Sequence, residues 1–324
     1  MKKLIILCSL LLVGCGSNNI DDIEISLPDS TVEVNLSQLE EVTTDETIED
    51  PVEETDDEVI EVEESTTKDK GVDDLTRDDV LWLQESLKIA GFYTARDGGF
   101  GPKTQETLSQ FQLSSGITET DSYSETANRL QKHRDDKLAL NFGSDLVLLN
   151  KKYYLPSSFI PSDLREVSVN KNKSIELPSH VADNVEAMFA DAIADGVVIY
   201  LASGYRSYDY QEGIFSRRVA NKGFEEAQTV VAIPGQSEHQ TGLAIDVTSE
   251  NMGFGLDQSF DQDPAYDWMI ANSYKYGFIL RYLKGREDDT GYIYEPWHYR
   301  YVGDVEMAKK IMESGMILEE YFED

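Results

Sequence analysis

Ser237-Glu238-His239-Gln240-Thr241-Gly242-Leu243-Ala244-Ile245-Asp246 is the stretch on which the reading of this chain turns. A histidine is followed by a glycine-containing turn and then by the short apolar run Leu243-Ala244-Ile245, which predicts a β-strand ending at Asp246. The turn can bring an imidazole and a carboxylate to one point. Those are the residue types that hold a borderline metal ion such as zinc.

Two further stretches supply partners. Tyr294-Glu295-Pro296-Trp297-His298-Tyr299 surrounds a second histidine with aromatic rings that exclude water and stiffen the imidazole, and it carries an acid three residues earlier. Two histidines and one aspartate fill three positions of a tetrahedral ion and leave the fourth to water, as in catalytic rather than structural sites. Glu295, beside the metal but not on it, suits proton transfer from water to a leaving amine. Upstream, Val197-Val198-Ile199-Tyr200-Leu201 predicts a strand running into Ser203-Gly204-Tyr205-Arg206-Ser207, where glycine permits a sharp turn and Arg206 follows on a loop. A guanidinium there can grip a carboxylate bidentately or stabilise an oxyanion. A helix is expected at roughly 181–194. His133, in a charged stretch, and His180, just after Pro178-Ser179, are expected to face solvent. Taken singly, each candidate has a structural alternative: Asp246 can cap a turn, Glu295 can pair with an arginine, and His298 can be a packed core histidine.

In combination, S-G-Y-R-S at 203–207, S-x-H-x-x-G-x-A-x-D at 237–246 and E-P-W-H at 295–298 resemble the VanY-type D,D-carboxypeptidase family, over roughly residues 144–310. The resemblance implies a zinc D-alanyl-D-alanine carboxypeptidase acting on peptidoglycan stem peptides. Carried over by position, it puts His239, Asp246 and His298 on one Zn2+, makes Glu295 the general acid/base and sets Arg206 on the substrate. Gln211 and Ser237 match weaker positions, as substrate contacts or as supporting structure. The implied fold is α+β, a small antiparallel sheet with helices to one side and zinc in a cleft across it; pattern alone gives only a mixed domain. Enzymes with the same motif set cleave the L,D bond of tetrapeptide stems, so an L,D-carboxypeptidase is the alternative. A non-catalytic wall-binding lipoprotein is the alternative from another class, and the intact metal and base positions speak against it.

N-terminal to this half, residues 73–133 show helical spacing. Val80, Leu83 and Leu87 recur at three- and four-residue intervals before Gly91, Pro102 suits a first helical position, and Leu108 and Phe111 share a face before Gly116. A third short helix carries Ala127 and Leu130. Leu83-Gln84, the turn Asp97-Gly98-Gly99-Phe100-Gly101-Pro102-Lys103-Thr104 and Phe111-Gln112 resemble the three-helix peptidoglycan-binding domain, which implies wall binding. A polar joint around 134–144 leads into a catalytic domain expected at 144–324.

The net charge of −34 is uneven: the segment 15–72 is strongly acidic, with Lys68 and Lys70 its only basic residues. Low aromatic content and high charge predict a disordered tether, on average at least ~40 Å end to end for roughly fifty residues. Such acidity argues against nucleic acid as a partner. Residues 1–14 read as a signal peptide, with Lys2-Lys3 before an apolar run too short to span a bilayer. Leu12-Val13-Gly14-Cys15 resembles the bacterial lipobox, which implies a lipid on Cys15 and a site on the extracytoplasmic face of the membrane, with the lipid as the sole membrane contact. Cys8 would leave with the signal, so no disulfide is expected.

Overall fold

The computed structural model describes residues 71–118 and 123–322. The expected signal peptide, Cys15 and nearly all of the acidic tether lie outside the described residues.

Three helices build the N-terminal module. Helix α1 (Arg77–Ile89) starts on a reciprocal cap: the Thr76 hydroxyl accepts from the Asp79 N–H, and the Asp79 carboxylate accepts from the Thr76 N–H at 2.8 Å. Helix α2 (Pro102–Ser114) opens on the expected proline, and α3 (Tyr123–Asp136) closes the bundle. Leu83, Leu87, Leu108, Phe111, Ala127 and Leu130 form its core with Ile117 and Tyr123. The Leu-Gln and Asp-Gly-Gly signatures are structurally coupled. Buried Gln84 donates to Asp97 Oδ1 at 2.7 Å and accepts from the N–H groups of Asp97 and Gly98 at 3.0 and 2.9 Å. Gly98 turns at φ +73°, where an added Cβ would lie 2.8 Å from the Arg77 side chain.

The C-terminal half is the α+β domain the motifs imply. Strands β1 (Leu164–Glu166) and β2 (Glu176–Pro178) pair antiparallel and lead into α4 (Ser179–Ala194). Then follow β3 (Tyr200–Ser203), α5 (Tyr208–Lys222), α6 (Phe224–Val230), β4 (Ala244–Thr248), α7 (Pro264–Asn272), β5 (Phe278–Leu280), α8 (Glu287–Thr290), β6 (His298–Tyr301), α9 (Val305–Ser314) and α10 (Leu318–Tyr321). The main sheet has the order β3-β4-β6-β5, antiparallel throughout.

Strand alternation sorts its two faces. Ile245, Val247, Tyr299 and Tyr301 join Val181, Val185 and Met188 of α4 and Met269 of α7 in the core. Asp246 and His298 lie directly opposite each other across the β4/β6 ladder, with Arg300 opposite Ala244, so these polar side chains share the other face.

Two strand expectations need correction. The strand expected at 197–201 begins only at Tyr200, because Tyr200 pairs with Thr248, the last residue of β4, and β4 offers residues 197–199 no strand partner beyond it. Strand β4 does not end at Asp246 but continues to Thr248, placing Asp246 at its centre.

The stretch read as a polar joint is tied down: α3 extends to Asp136, and bridges join Leu138 to Tyr154 and Leu140 to Leu148. The helical module rests on α5 through charged groups. Buried Lys88 bonds Glu212, while Glu85 accepts from the Ser157 hydroxyl at 2.6 Å and meets Arg96 and Arg134, each at 3.3 Å. Tyr93 packs against Phe215 and Phe224. Breaking a buried pair strands a charge, so Lys88→Met is expected to destabilise by about 3–5 kcal/mol, whereas Lys88→Met with Glu212→Leu recovers most of the loss. Urea unfolding measures both; a double variant no better than the single one contradicts this reading of the contact.

Candidate metal centre

The spacing of the central motif has a physical cause at each step. His239 lies in a 3-10 turn, Glu238–Thr241, which ends at Gly242 with φ +73°. A Cβ at Gly242 would approach Pro178 to 2.6 Å, so only glycine lets the chain pass from the turn into β4. The alternation of β4 then carries Asp246 to the same side as His239.

The outer partner of His239 fixes its tautomer. His239 Nδ1 is 2.8 Å from the Gly204 carbonyl, an acceptor, so Nδ1 carries the proton and Nε2 presents a lone pair. Gly204 itself has no room for a side chain, since a Cβ would meet Ile175 at 2.6 Å. His239 Nε2 is buried and 3.2 Å from Asp246 Oδ2, but it is not aligned to hydrogen bond with it.

The other Asp246 oxygen, Oδ1, is 3.0 Å from His298 Nδ1, and the donor atoms of His239, Asp246 and His298 lie within 4.8 Å of one another. Adjacent donors about 3.3 Å apart are what a tetrahedral ion with bonds of ~2.0–2.1 Å requires. A buried lone pair without a hydrogen bond, beside a carboxylate at that spacing, fits a zinc ion and fits a hydrogen-bonded cluster poorly.

The electrostatics agree. Burial, then Arg206, hold the His239 pKa down to about 4, which keeps its imidazole neutral. Burial works against ionised Asp246, but the two imidazoles outweigh it and keep the carboxyl well below its usual range. Burial also opposes the charged form of His298; the carboxylates of Asp246 and Glu238 overcome it and raise the pKa to about 9. A cation held between these side chains would replace that proton.

Glu295 reaches the centre through a tight turn, with the His298 N–H donating to the Glu295 carbonyl at 3.1 Å. Its Oε2 lies 3.9 Å from His298 Nδ1, close to the metal position without sharing the Asp246 contacts. Burial raises its carboxyl to about 7. Arg206 is held by its backbone N–H on the His239 carbonyl at 3.1 Å. Its Nε is buried without a partner, and among the described residues no carboxylate lies within ion-pair distance of its guanidinium.

These groups line a cleft of about 650 Å³, together with Gln211, Ser237, Tyr282 and Trp297. Gln211 donates to the Ala232 carbonyl at 2.8 Å and leaves its buried Oε1 without a partner. Ser237 precedes the 3-10 turn and does not cap it through its side chain.

The other two histidines lie elsewhere. His180 is half exposed and 3.0 Å from Asp145, and His133 sets its ring edge against Phe111 rather than facing solvent freely. Sequence reasoning missed Glu238, Arg281 and Arg300, all fully buried beside His298. Arg300 carried a usable signal, since two residues beyond His298 on a strand is the same face.

Comparison with known proteins places this geometry. Residues 174–304 match the VanY family, described as D-alanyl-D-alanine carboxypeptidase, and residues 76–121 match a "Putative peptidoglycan binding domain". The Bacillus subtilis protein named "Putative carboxypeptidase YodJ" is 46% identical over 183 residues, covering 55% of this chain and 67% of that protein. An Enterococcus faecalis D-alanyl-D-alanine carboxypeptidase is 38% identical over 185 residues, covering 54% of this chain and 65% of that one. The chain thus spans about two thirds of the length of these curated relatives. The solved structure of the LdcB LD-carboxypeptidase matches at 46% identity and a TM-score of 0.52, covering 54% of this chain and 84% of that one. Sequence, fold and the placement of the three motifs agree, and the chain belongs to the VanY family of D-alanyl-D-alanine carboxypeptidases.

Proposed function

We propose that this protein is a zinc carboxypeptidase that removes the C-terminal D-alanine from peptidoglycan stem peptides. The observation that carries this reading is the convergence of His239, Asp246 and His298 beside buried Arg206, whose Nε has no hydrogen-bond partner among the described residues. Zinc held by the three side chains supplies a Lewis acid that polarises a peptide carbonyl and acidifies water. Glu295, raised by burial toward neutrality, accepts the proton from water at its carboxylate and returns it to the departing amine. Arg206 holds the terminal carboxylate of the peptide, so that only the last residue is cut. Tyr282 and Trp297 wall the cleft and restrict bulk water.

The likeness to LdcB favours a second reading, cleavage of the L,D bond in a tetrapeptide stem. Mass spectrometry of products from defined stems separates the two. Loss of one alanine from a D-Ala-D-Ala-ended pentapeptide supports the D,D reading, and loss only from the tetrapeptide supports the L,D one. Release of neither contradicts a carboxypeptidase role.

Arg206→Ala is expected to slow hydrolysis of the free-acid peptide about 10–100-fold more than that of its amidated counterpart, the scale of a lost charge-assisted hydrogen bond. Equal losses on both contradict carboxylate recognition.

The helical module adds an affinity for the wall to this reading. Cys15 with its lipobox-like setting supports a lipid anchor on the extracytoplasmic face, with the acidic stretch as tether. Cys15→Ala should move the protein out of the membrane fraction, and retention there contradicts the anchor.

A further inference from the structure

One buried carboxylate has no part in the chemistry above. Glu238, whose side chain is wholly inaccessible, accepts on Oε1 from Arg281 Nε at 2.8 Å and from Arg300 Nη1 at 2.9 Å. Its Oε2 lies 3.3 Å from His298 Nε2. Both arginines are themselves fixed. Arg281 makes two bonds to Glu319, at 2.8 and 2.7 Å, and Arg300 donates to the carbonyls of Val147, Tyr301 and Asp145 at 2.7, 2.9 and 3.0 Å.

Two guanidiniums converge on the one oxygen Oε1 with every partner buried, so Glu238 is the carboxylate of a buried ion-pair triad. An ionised carboxylate only accepts hydrogen bonds. His298 must therefore present an N–H from Nε2, which leaves Nδ1 facing Asp246 and the metal position. His239 receives the complementary instruction from the Gly204 carbonyl, so the two imidazoles are aimed by different outer partners.

We propose that Glu238 is a positioning residue that fixes the tautomer and ring orientation of His298 for metal binding, with Arg281 and Arg300 holding its side chain in place. This rests on the zinc reading. Outer partners of this kind typically change metal affinity about 10–100-fold. Glu238→Gln keeps the shape and can still accept from the arginines. Its amide then points N–H groups at His298 Nε2, which turns that nitrogen into an acceptor and puts the proton on Nδ1, where the metal should sit.

The test measures zinc affinity of the purified metal-free chain by competition with a chromophoric chelator. Glu238→Gln is expected to bind zinc about 10–100-fold more weakly than the native protein, while Glu319→Gln, which perturbs the same arginine without touching His298, stays within about threefold. Native-like affinity in Glu238→Gln, or an equal loss in Glu319→Gln, overturns the proposal. Failure of the native chain to bind zinc overturns the metal reading itself, a distinct outcome. Should Glu238→Gln not fold, nitrogen NMR of His298 in the native zinc-loaded protein decides. A protonated Nε2 and a metal-shifted Nδ1 support the proposal, and a metal-shifted Nε2 overturns it.

Discussion

Glu295→Gln is expected to leave zinc bound at about one ion per chain while lowering kcat on a D-Ala-D-Ala-ended stem peptide by about 10²–10⁴-fold, the range of general acid–base catalysis. The amide keeps the size of the side chain and the turn that His298 closes on the Glu295 carbonyl. It cannot take a proton. Glu295 lies 3.9 Å from His298 Nδ1 but outside the group of His239, Asp246 and His298, whose donor atoms all lie within 4.8 Å of one another, which is why metal content and turnover should part company. Nearby tyrosines cannot substitute as bases, because burial drives the hydroxyls of Tyr282 and Tyr292 well above their ordinary range. Loss of zinc in the variant would make Glu295 a ligand, and retained turnover would put the base elsewhere.

Asp246→Ala should be at least as damaging, by another route. Asp246 is the anionic member of the set and the one that faces both imidazoles, at 3.0 and 3.2 Å. Without it two neutral nitrogens remain to hold a dication. The expected loss of zinc affinity exceeds the ~10–100-fold typical of an outer partner, and activity falls to background. Metal analysis after gel filtration, with far-UV circular dichroism to confirm the fold, checks this. Full zinc occupancy in folded Asp246→Ala protein contradicts the ligand assignment.

Much of this site is legible in the sequence because backbone rules fix it. Gly242 is demanded by a left-handed turn packed on Pro178, Gly204 by close approach to Ile175, and the even spacing from Ala244 to Asp246 by strand alternation. The helical module is legible for similar reasons, through apolar spacing, the Pro102 start and the Gln84 clasp on its turn. Strand ends are less so. Tyr200 and Thr248 mark limits set by where a partner strand stops, and no local residue announces that. Nor does the sequence show which histidine nitrogen faces the metal, since that depends on Gly204 and Glu238, the former 35 residues from His239 and the latter 60 from His298. The seating of Lys88 on Glu212 spans 124 residues and is equally invisible to local pattern.

The most direct test of the central claim is a zinc titration of the metal-free protein in which bound zinc and release of D-alanine from the pentapeptide stem are measured on the same samples. Turnover should rise in proportion to bound zinc and level off at about one ion per chain, the stoichiometry of a mononuclear catalytic site. Turnover that persists in fully chelated protein, or a zinc-loaded protein that releases no D-alanine from the stem, would contradict it.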